Sequence, residues 1–169
     1  MPIIRFEEPR DIAAIRKVVE EAFGQPAEAD LVDALRRNGK AALSLVAEVN
    51  DRVVGHILFS PVTVETGDGE LVGIGLAPLA VLPEFQNRGV GSALVEHGLE
   101  RCREAGHRFA IVLGHPNYYP RFGFVPASRF GIKSKYDTPD EHFMAMELRE
   151  GALQNQAGMA RYQPEFDEF

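Results

Sequence analysis

Apolar and polar positions change their spacing several times along the chain, and each change marks an element. Ile3-Ile4-Arg5-Phe6 is a short apolar run closed by Glu8-Pro9, which predicts a strand. From Asp11 the apolar residues return as Ile12, Ile15, Val19, Ala22 and Phe23, the spacing of one helical face, and Gly24-Gln25-Pro26 ends that helix. A second helix begins near Ala27, with Leu31, Ala34 and Leu35 on one side and Glu28, Asp30 and Asp33 elsewhere; it stops at Asn38-Gly39. Leu43 to Glu48 and Arg52 to Ser60 are rich in Val, Ile, Leu and Phe. Asn50-Asp51 lies between them, so an antiparallel hairpin is expected.

Thr66 to Glu70 reads as another turn, leading into the long apolar segment Leu71 to Leu82. Proline donates nothing to a sheet ladder, so this strand must bulge or splay near Pro78. After Pro83-Glu84-Phe85, the stretch Gln86-Asn87-Arg88-Gly89-Val90-Gly91 opens a helix running to about Ala105. Val90, Leu94, Gly98 and Cys102 form its inner side, and Gly106 caps it. Phe109 to Leu113 is a short, wholly apolar run, the mark of a buried strand. Strand, glycine turn, helix and strand in that order make a right-handed crossover joining parallel neighbours. Gly123-Phe124-Val125 and His142 to Leu148 supply further strands, separated by a long loop holding Lys133, Lys135, Asp137 and Pro139. There is no internal repeat and no linker, so one domain over residues 1–150 is expected. Residues 151–169 form a polar tail with spaced aromatics, free to join its own sheet or that of a second copy.

The composition fits this plan. A chain of 169 residues, 45% hydrophobic and 25% charged, is sized for a single globular core rather than a disordered or fibrous chain. Its apolar runs fall well short of the ~18 residues a membrane helix needs. The N-terminus has no basic start followed by an apolar stretch, so it is not read as a secretory signal. One cysteine, Cys102, forms no internal disulfide, which points to a reducing, cytoplasmic setting. The net charge of −7 argues against nucleic acid as a partner, because such binding needs a dense cationic face. Cys102, Met144 and Met146 read as core, and His107 and His142 lack partners at ligand spacing, so no metal site is expected.

Candidate chemistry concentrates in Gln86 to Gly91, where successive backbone amides at a helix N-terminus suit an anion such as a pyrophosphate. It lacks the Gly-Lys-Ser/Thr of a Walker loop, and Gly89-Val90-Gly91 is not followed by the third glycine of a dinucleotide fingerprint. Alone, Gly-x-Gly before a helix is more often a plain tight turn. Its surroundings add more. Leu79-Ala80-Val81-Leu82-Pro83, then Gln86-x-x-Gly89-x-Gly91, resembles the acetyl-coenzyme A signature of the GCN5-related N-acetyltransferase family. Tyr119-Pro120-Arg121-Phe122-Gly123-Phe124 is similar to that family's Tyr-x-x-x-Gly-Phe. The run Gly114 to Phe124 looks more closely like a bacterial YhbS-type branch, and the element order fits the family from about residue 3 to 149.

The resemblance implies an α/β fold with a mixed, mostly antiparallel central sheet, a splayed parallel pair and helices on both faces. It implies acetyl transfer from acetyl-CoA to a small-molecule or peptide amine, without a metal. The backbone of Leu79, Ala80 and Val81 would hold the pantetheine and thioester carbonyl, and the loop amides of Asn87, Arg88, Gly89, Val90 and Gly91 the pyrophosphate. Gln86 and Ser92 flank that loop, Arg88 adds charge, and Asn117 joins from beyond the following strand. Tyr119 matches the family's general acid, since a phenol with pKa near ~10 can protonate a departing thiolate, with Tyr118 as its neighbour and rival. Many relatives carry a glutamate base on the splayed strand, but Ile74 to Ala77 offer none. His115 is the leading base, ahead of His56, Glu28 and Glu48, and solvent is a further route for the proton. In this family the first two helices flank the acceptor groove, which gives Glu28, Asp30 and Asp33 a possible part in steering an amine. A different class, a coenzyme A-binding regulatory or partner-binding module with little catalysis, fits the missing carboxylate. The expected assembly is a monomer or homodimer.

Overall fold

The computed structural model describes residues 2–168. β1 (Ile3–Phe6) pairs antiparallel with β2 (Leu43–Val49), and β2 with β3 (Arg52–Thr66). The β2–β3 hairpin closes on Asn50 and Asp51, both at positive φ (51° and 63°). Two left-handed residues in succession match the twist of the flanking strands, and Asn and Asp tolerate that conformation better than most. β3 runs beyond Ser60, where the sequence pattern suggests an end, because Pro61 does not interrupt it. Its carbonyl accepts Gln163 Nε2 at 3.0 Å, so this part of its backbone faces away from β4 and no ladder bond to that strand is lost.

β4 (Gly69–Val81) returns antiparallel to β3. α3 (Val90–Glu104) then crosses over to β5 (Phe109–Leu113), which lies parallel to β4 as the strand–helix–strand order predicts. β8 (Phe143–Glu147) adds antiparallel to β5, and the two-residue β6 (Val125–Pro126) to β8. The spatial order is β1-β2-β3-β4-β5-β8-β6. Gly123 and Phe124, expected in a strand, instead leave a helical turn, with Gly123 left-handed at φ 109°. The expected loop after them contains β7 (Ile132–Ser134), parallel to β9 (Gly158–Arg161). β9 also pairs with Thr63–Thr66 of β3, so the tail joins its own sheet.

Helices cover both faces. α1 (Ile12–Phe23) buries Ile15, Val18 and Val19, while Ile12 and Phe23, expected on the inner face, are exposed because they sit at its ends. α2 (Ala27–Arg37) buries Leu31, Ala34 and Leu35 as the pattern requires. Arg16 ties the two helices, donating to Asp30 at 2.8 Å and Asp33 at 2.6 Å. On the other face α3 approaches β3 so closely that a Cβ at Gly98 would lie 2.6 Å from the Phe59 ring. Ile57 and Phe59 therefore face α3, and the alternate residues of β3 face α1 and α2. Phe59, Ile57, Leu94 and Leu35 are fully buried, each burial worth roughly 1.5–3 kcal/mol. Cys102 and Met144 lie in the same core, and burial pushes the Cys102 thiol up to about 12.

Candidate active site

The site begins where two strands part. β4 and β5 pair only over Ile74–Leu76 and Ala110–Val112. Beyond Leu76 the register of β4 on β3 slips between Ile57 and Phe59, so Ala77 and Pro78 stand where β3 offers Leu58 alone. This is the bulge that Pro78 requires. Past it β4 stays with β3, through Leu79 on Ile57, Ala80 on His56 and Val81 on Gly55, with no strand paired to its other edge among the described residues.

Which backbone groups face that opening follows from alternation. The Leu82 amide donates to the Val54 carbonyl at 2.9 Å, so Leu82 and Ala80 present their backbone to β3. Leu79 and Val81 present theirs to the opening, and the Val81 carbonyl accepts Gln86 Nε2 at 3.0 Å. Ala80, expected among the open groups, is thus turned away by its register.

At the mouth of the opening, Asn87 (φ 62°) and Gly89 (φ 82°) take left-handed conformations that start α3. The first helical bond runs from the Ala93 amide to the Gly89 carbonyl at 3.0 Å. The amides of Val90, Gly91 and Ser92 precede any helical acceptor, and no side chain among the described residues caps them. Three amides at the positive end of a helix form a cradle for an anion. Arg88 stands over the Phe85 ring at 5.7 Å, and Val90 is buried in the core, so both support the loop from behind.

A cavity of about 960 Å³ joins the cradle to the opening. Its cradle end is lined by Gln86, Asn87, Gly89, Gly91, Ser92 and Arg121, its middle by Leu76 to Leu79 and Val81. Tyr118, Tyr119, His115 and Glu28 also line it; Asn117, exposed on the turn after β5, does not. The turn that sets the tyrosines is held by the His115 carbonyl, which accepts the Tyr118 and Tyr119 amides at 3.1 and 3.4 Å. The Tyr118 hydroxyl lies 3.3 Å from Ser92 Oγ at the cradle, with the Arg121 guanidinium 4.7 Å from its ring centre. Tyr119 is 8% exposed and packs edge-on against Phe124. Burial holds its phenol well above the ordinary value of 10.

The other candidates separate cleanly. Glu48 is bound by Arg5 at 2.6 Å, outside this cavity. His56 is fully buried, with Nε2 2.8 Å from Ser44 Oγ, and burial lowers its pKa to about 4. Asp30 and Asp33 are occupied by Arg16, which leaves Glu28 as the carboxylate on the cavity wall among the described residues. Sequence reasoning missed Phe23, Leu31, Leu113 and Phe166 as wall residues. The spaced aromatics of the tail were the available signal for Phe166, but nothing local marks the position it packs against.

Strands parted by a proline bulge beside an amide cradle set the class of fold, and comparison with known proteins names its family. The acetyltransferase (GNAT) domain family matches residues 4–127, and the chain belongs to that family of acetyltransferase enzymes. It is 46% identical over 136 residues to the uncharacterized N-acetyltransferase YjhQ of Escherichia coli, covering 78% of this chain and 75% of that protein. It is 34% identical over 168 residues to the uncharacterized N-acetyltransferase YhbS of Escherichia coli, covering 99% of each. The crystal structure of YhbS in complex with CoA superposes with a TM-score of 0.92, at 33% identity over 99% of this chain and 93% of that one. A GNAT family acetyltransferase from Brucella melitensis in complex with acetyl-CoA gives 0.81, at 37% identity and 99% of both chains. No helix among the described residues is long and apolar enough to cross a membrane.

Proposed function

We propose that this chain transfers an acetyl group from acetyl-CoA to a primary amine by direct attack of the amine on the thioester. The observation that carries the reading is the opening itself. The backbone of Leu79 and Val81 faces into it, next to the free amides of Val90 to Ser92, in a fold whose neighbours hold CoA and acetyl-CoA. The residues fit that substrate: an anion cradle for the pyrophosphate, an extended strand edge for the amide-bearing pantetheine, and an apolar floor of Leu76 and Pro78 for the thioester. Bound there, acetyl-CoA supplies the activated acetyl group.

The Leu79 amide polarises the thioester carbonyl, stabilising charge that grows on its oxygen. His115, on the wall at the C-terminal end of β5, accepts the proton that the attacking amine must lose. Tyr119 gives its proton to the departing thiolate; its raised pKa keeps it protonated until that moment.

The test starts with thermal shifts in acetyl-CoA, CoA, ATP and NAD. A ligand at 100 times its dissociation constant adds about 2.7 kcal/mol, roughly 5–10 °C for a chain of this size. Shifts with both CoA species and not with ATP or NAD are expected, followed by amine-dependent release of thiol. Tyr119→Phe is expected to lower kcat at least tenfold with acetyl-CoA binding retained, and Tyr118→Phe to leave kcat within threefold. CoA binding without turnover on any amine would favour a CoA-binding module instead.

A further inference from the structure

The cavity has a second end, and its chemistry differs from that of the cradle. Phe23 closes α1, Leu31 lies on α2, Leu113 closes β5 and Phe166 comes from the tail; all four line the cavity, and α1 and α2 cover the sheet face opposite α3, whose start forms the cradle. Phe23 and Leu113 are 41% and 43% exposed, large apolar side chains left open to solvent at the mouth. The tail wall is fixed in place. Glu165 is buried and accepts Asn38 Nδ2 at 2.7 Å and Lys40 Nζ at 2.9 Å, just beyond α2. Phe166, next in the chain, packs on Tyr162 with ring centres 5.2 Å apart.

Charge at this end is sparse. Glu28 faces the cavity with its carboxylate held by Gln25 Nε2 at 3.0 and 3.1 Å. Asp30, Asp33 and Glu165 are neutralised by Arg16, Arg36 and Lys40. The cationic Arg121 stands over Tyr118, at the cradle end. One negative charge in an apolar chamber suits one positive charge on an apolar body. A polyamine or an amino sugar would set further ammonium or hydroxyl groups against Phe and Leu without partners, which disfavours both.

We infer that the acceptor is a singly charged primary amine on an aryl or alkyl body, held between Phe23, Leu31, Leu113 and Phe166 with its ammonium at Glu28. The inference rests on the acetyl-transfer reading. Phe166 and Glu28 are then specificity residues: Phe166 packs the body, and Glu28 places the nitrogen before it loses its proton.

Steady-state thiol release on phenethylamine, hexylamine, spermidine, glucosamine and glycine tests it, after a thermal shift with CoA has been recorded for each variant. The wild type is expected to favour phenethylamine or hexylamine over the other three by at least tenfold in kcat/KM. Phe166→Ala should raise KM for the apolar amine about tenfold while KM for acetyl-CoA stays within twofold. Phe166→Leu, which keeps an apolar tail wall, should restore hexylamine more fully than phenethylamine. Glu28→Gln should raise KM for the amine and not for acetyl-CoA. A wild type that binds CoA yet prefers spermidine, glucosamine or glycine, or acetylates none of the five, overturns the inference and leaves the donor site standing. Variants that leave the amine KM unchanged overturn it too. No thermal shift with CoA removes the acetyl-transfer reading, and the inference with it.

Discussion

The ring of Tyr119 rests against the backbone of Gly114 so closely that a Cβ there would sit 2.4 Å from its Cε2 and 2.9 Å from its Cδ2. Glycine at the end of β5 is therefore what lets the proposed acid occupy its place. Gly114→Ala must push the ring aside. The expected result is a kcat reduced at least tenfold with KM for acetyl-CoA changed by less than threefold, measured by thiol release. An unchanged kcat would mean that the ring's position is not what matters.

Gly89 makes the opposite kind of demand. A Cβ there meets nothing within 4 Å, so the cost of a side chain comes from φ 82° alone. For alanine that is about 1–2 kcal/mol, and asparagine is better tolerated. Gly89→Ala should raise KM for acetyl-CoA several-fold as the cradle relaxes, and Gly89→Asn should recover part of the loss. Equal KM values for all three proteins would show that the cradle does not depend on this turn.

His56 ties stability to pH. Burial lowers its pKa from 6.5 to about 4; the Glu7 carboxylate opposes that shift and the Arg36 guanidinium adds to it. The folded state holds the ring neutral while the unfolded chain takes up a proton near 6.5. Stability is thus full above 6.5 and falls as pH drops towards 4, by up to about 3 kcal/mol. His107, whose pKa burial also lowers, acts in the same direction, so the comparison must be with a variant. Urea denaturation at pH 7.0 and 4.5 should show a smaller loss for His56→Gln than for the wild type. Parallel losses would reassign the slope.

Tyr162 carries a hydroxyl that is buried without a hydrogen-bond partner among the described residues. An orphaned polar group of this kind costs about 1–3 kcal/mol. Tyr162→Phe keeps the ring between Tyr136 and Phe166 and removes the orphan. The melting temperature is expected to rise by about 2–4 °C for each kcal/mol gained. A fall would reveal a bridging water.

Much of this architecture was legible because the signals are local. Two-residue turn chemistry at Asn50-Asp51, the glycine start of α3 and the proline that parts β4 from β5 each act on their own few residues. What stayed hidden depends on distant partners. Ala80 faces β3 and not the opening because of a register set across two strands. β7 and β9 are three and four residues long, and their pairing partners lie far away in the chain. Phe166 becomes a wall only because Glu165 docks beside α2, a contact spanning 127 positions between Asn38 and Glu165.

That last contact bears on how the molecule can change. The groups facing the proposed donor come from one continuous passage, Leu76 to Arg121, whereas the far chamber sets Phe23 of α1, Leu31 of α2 and Phe166 of the tail around Leu113 of β5. A mutation at Phe23, Leu31 or Phe166 reshapes one chamber without touching the passage that builds the other. On the proposed acetyl-transfer reading the two halves can be altered separately, and an engineer seeking a new amine would begin at those three positions.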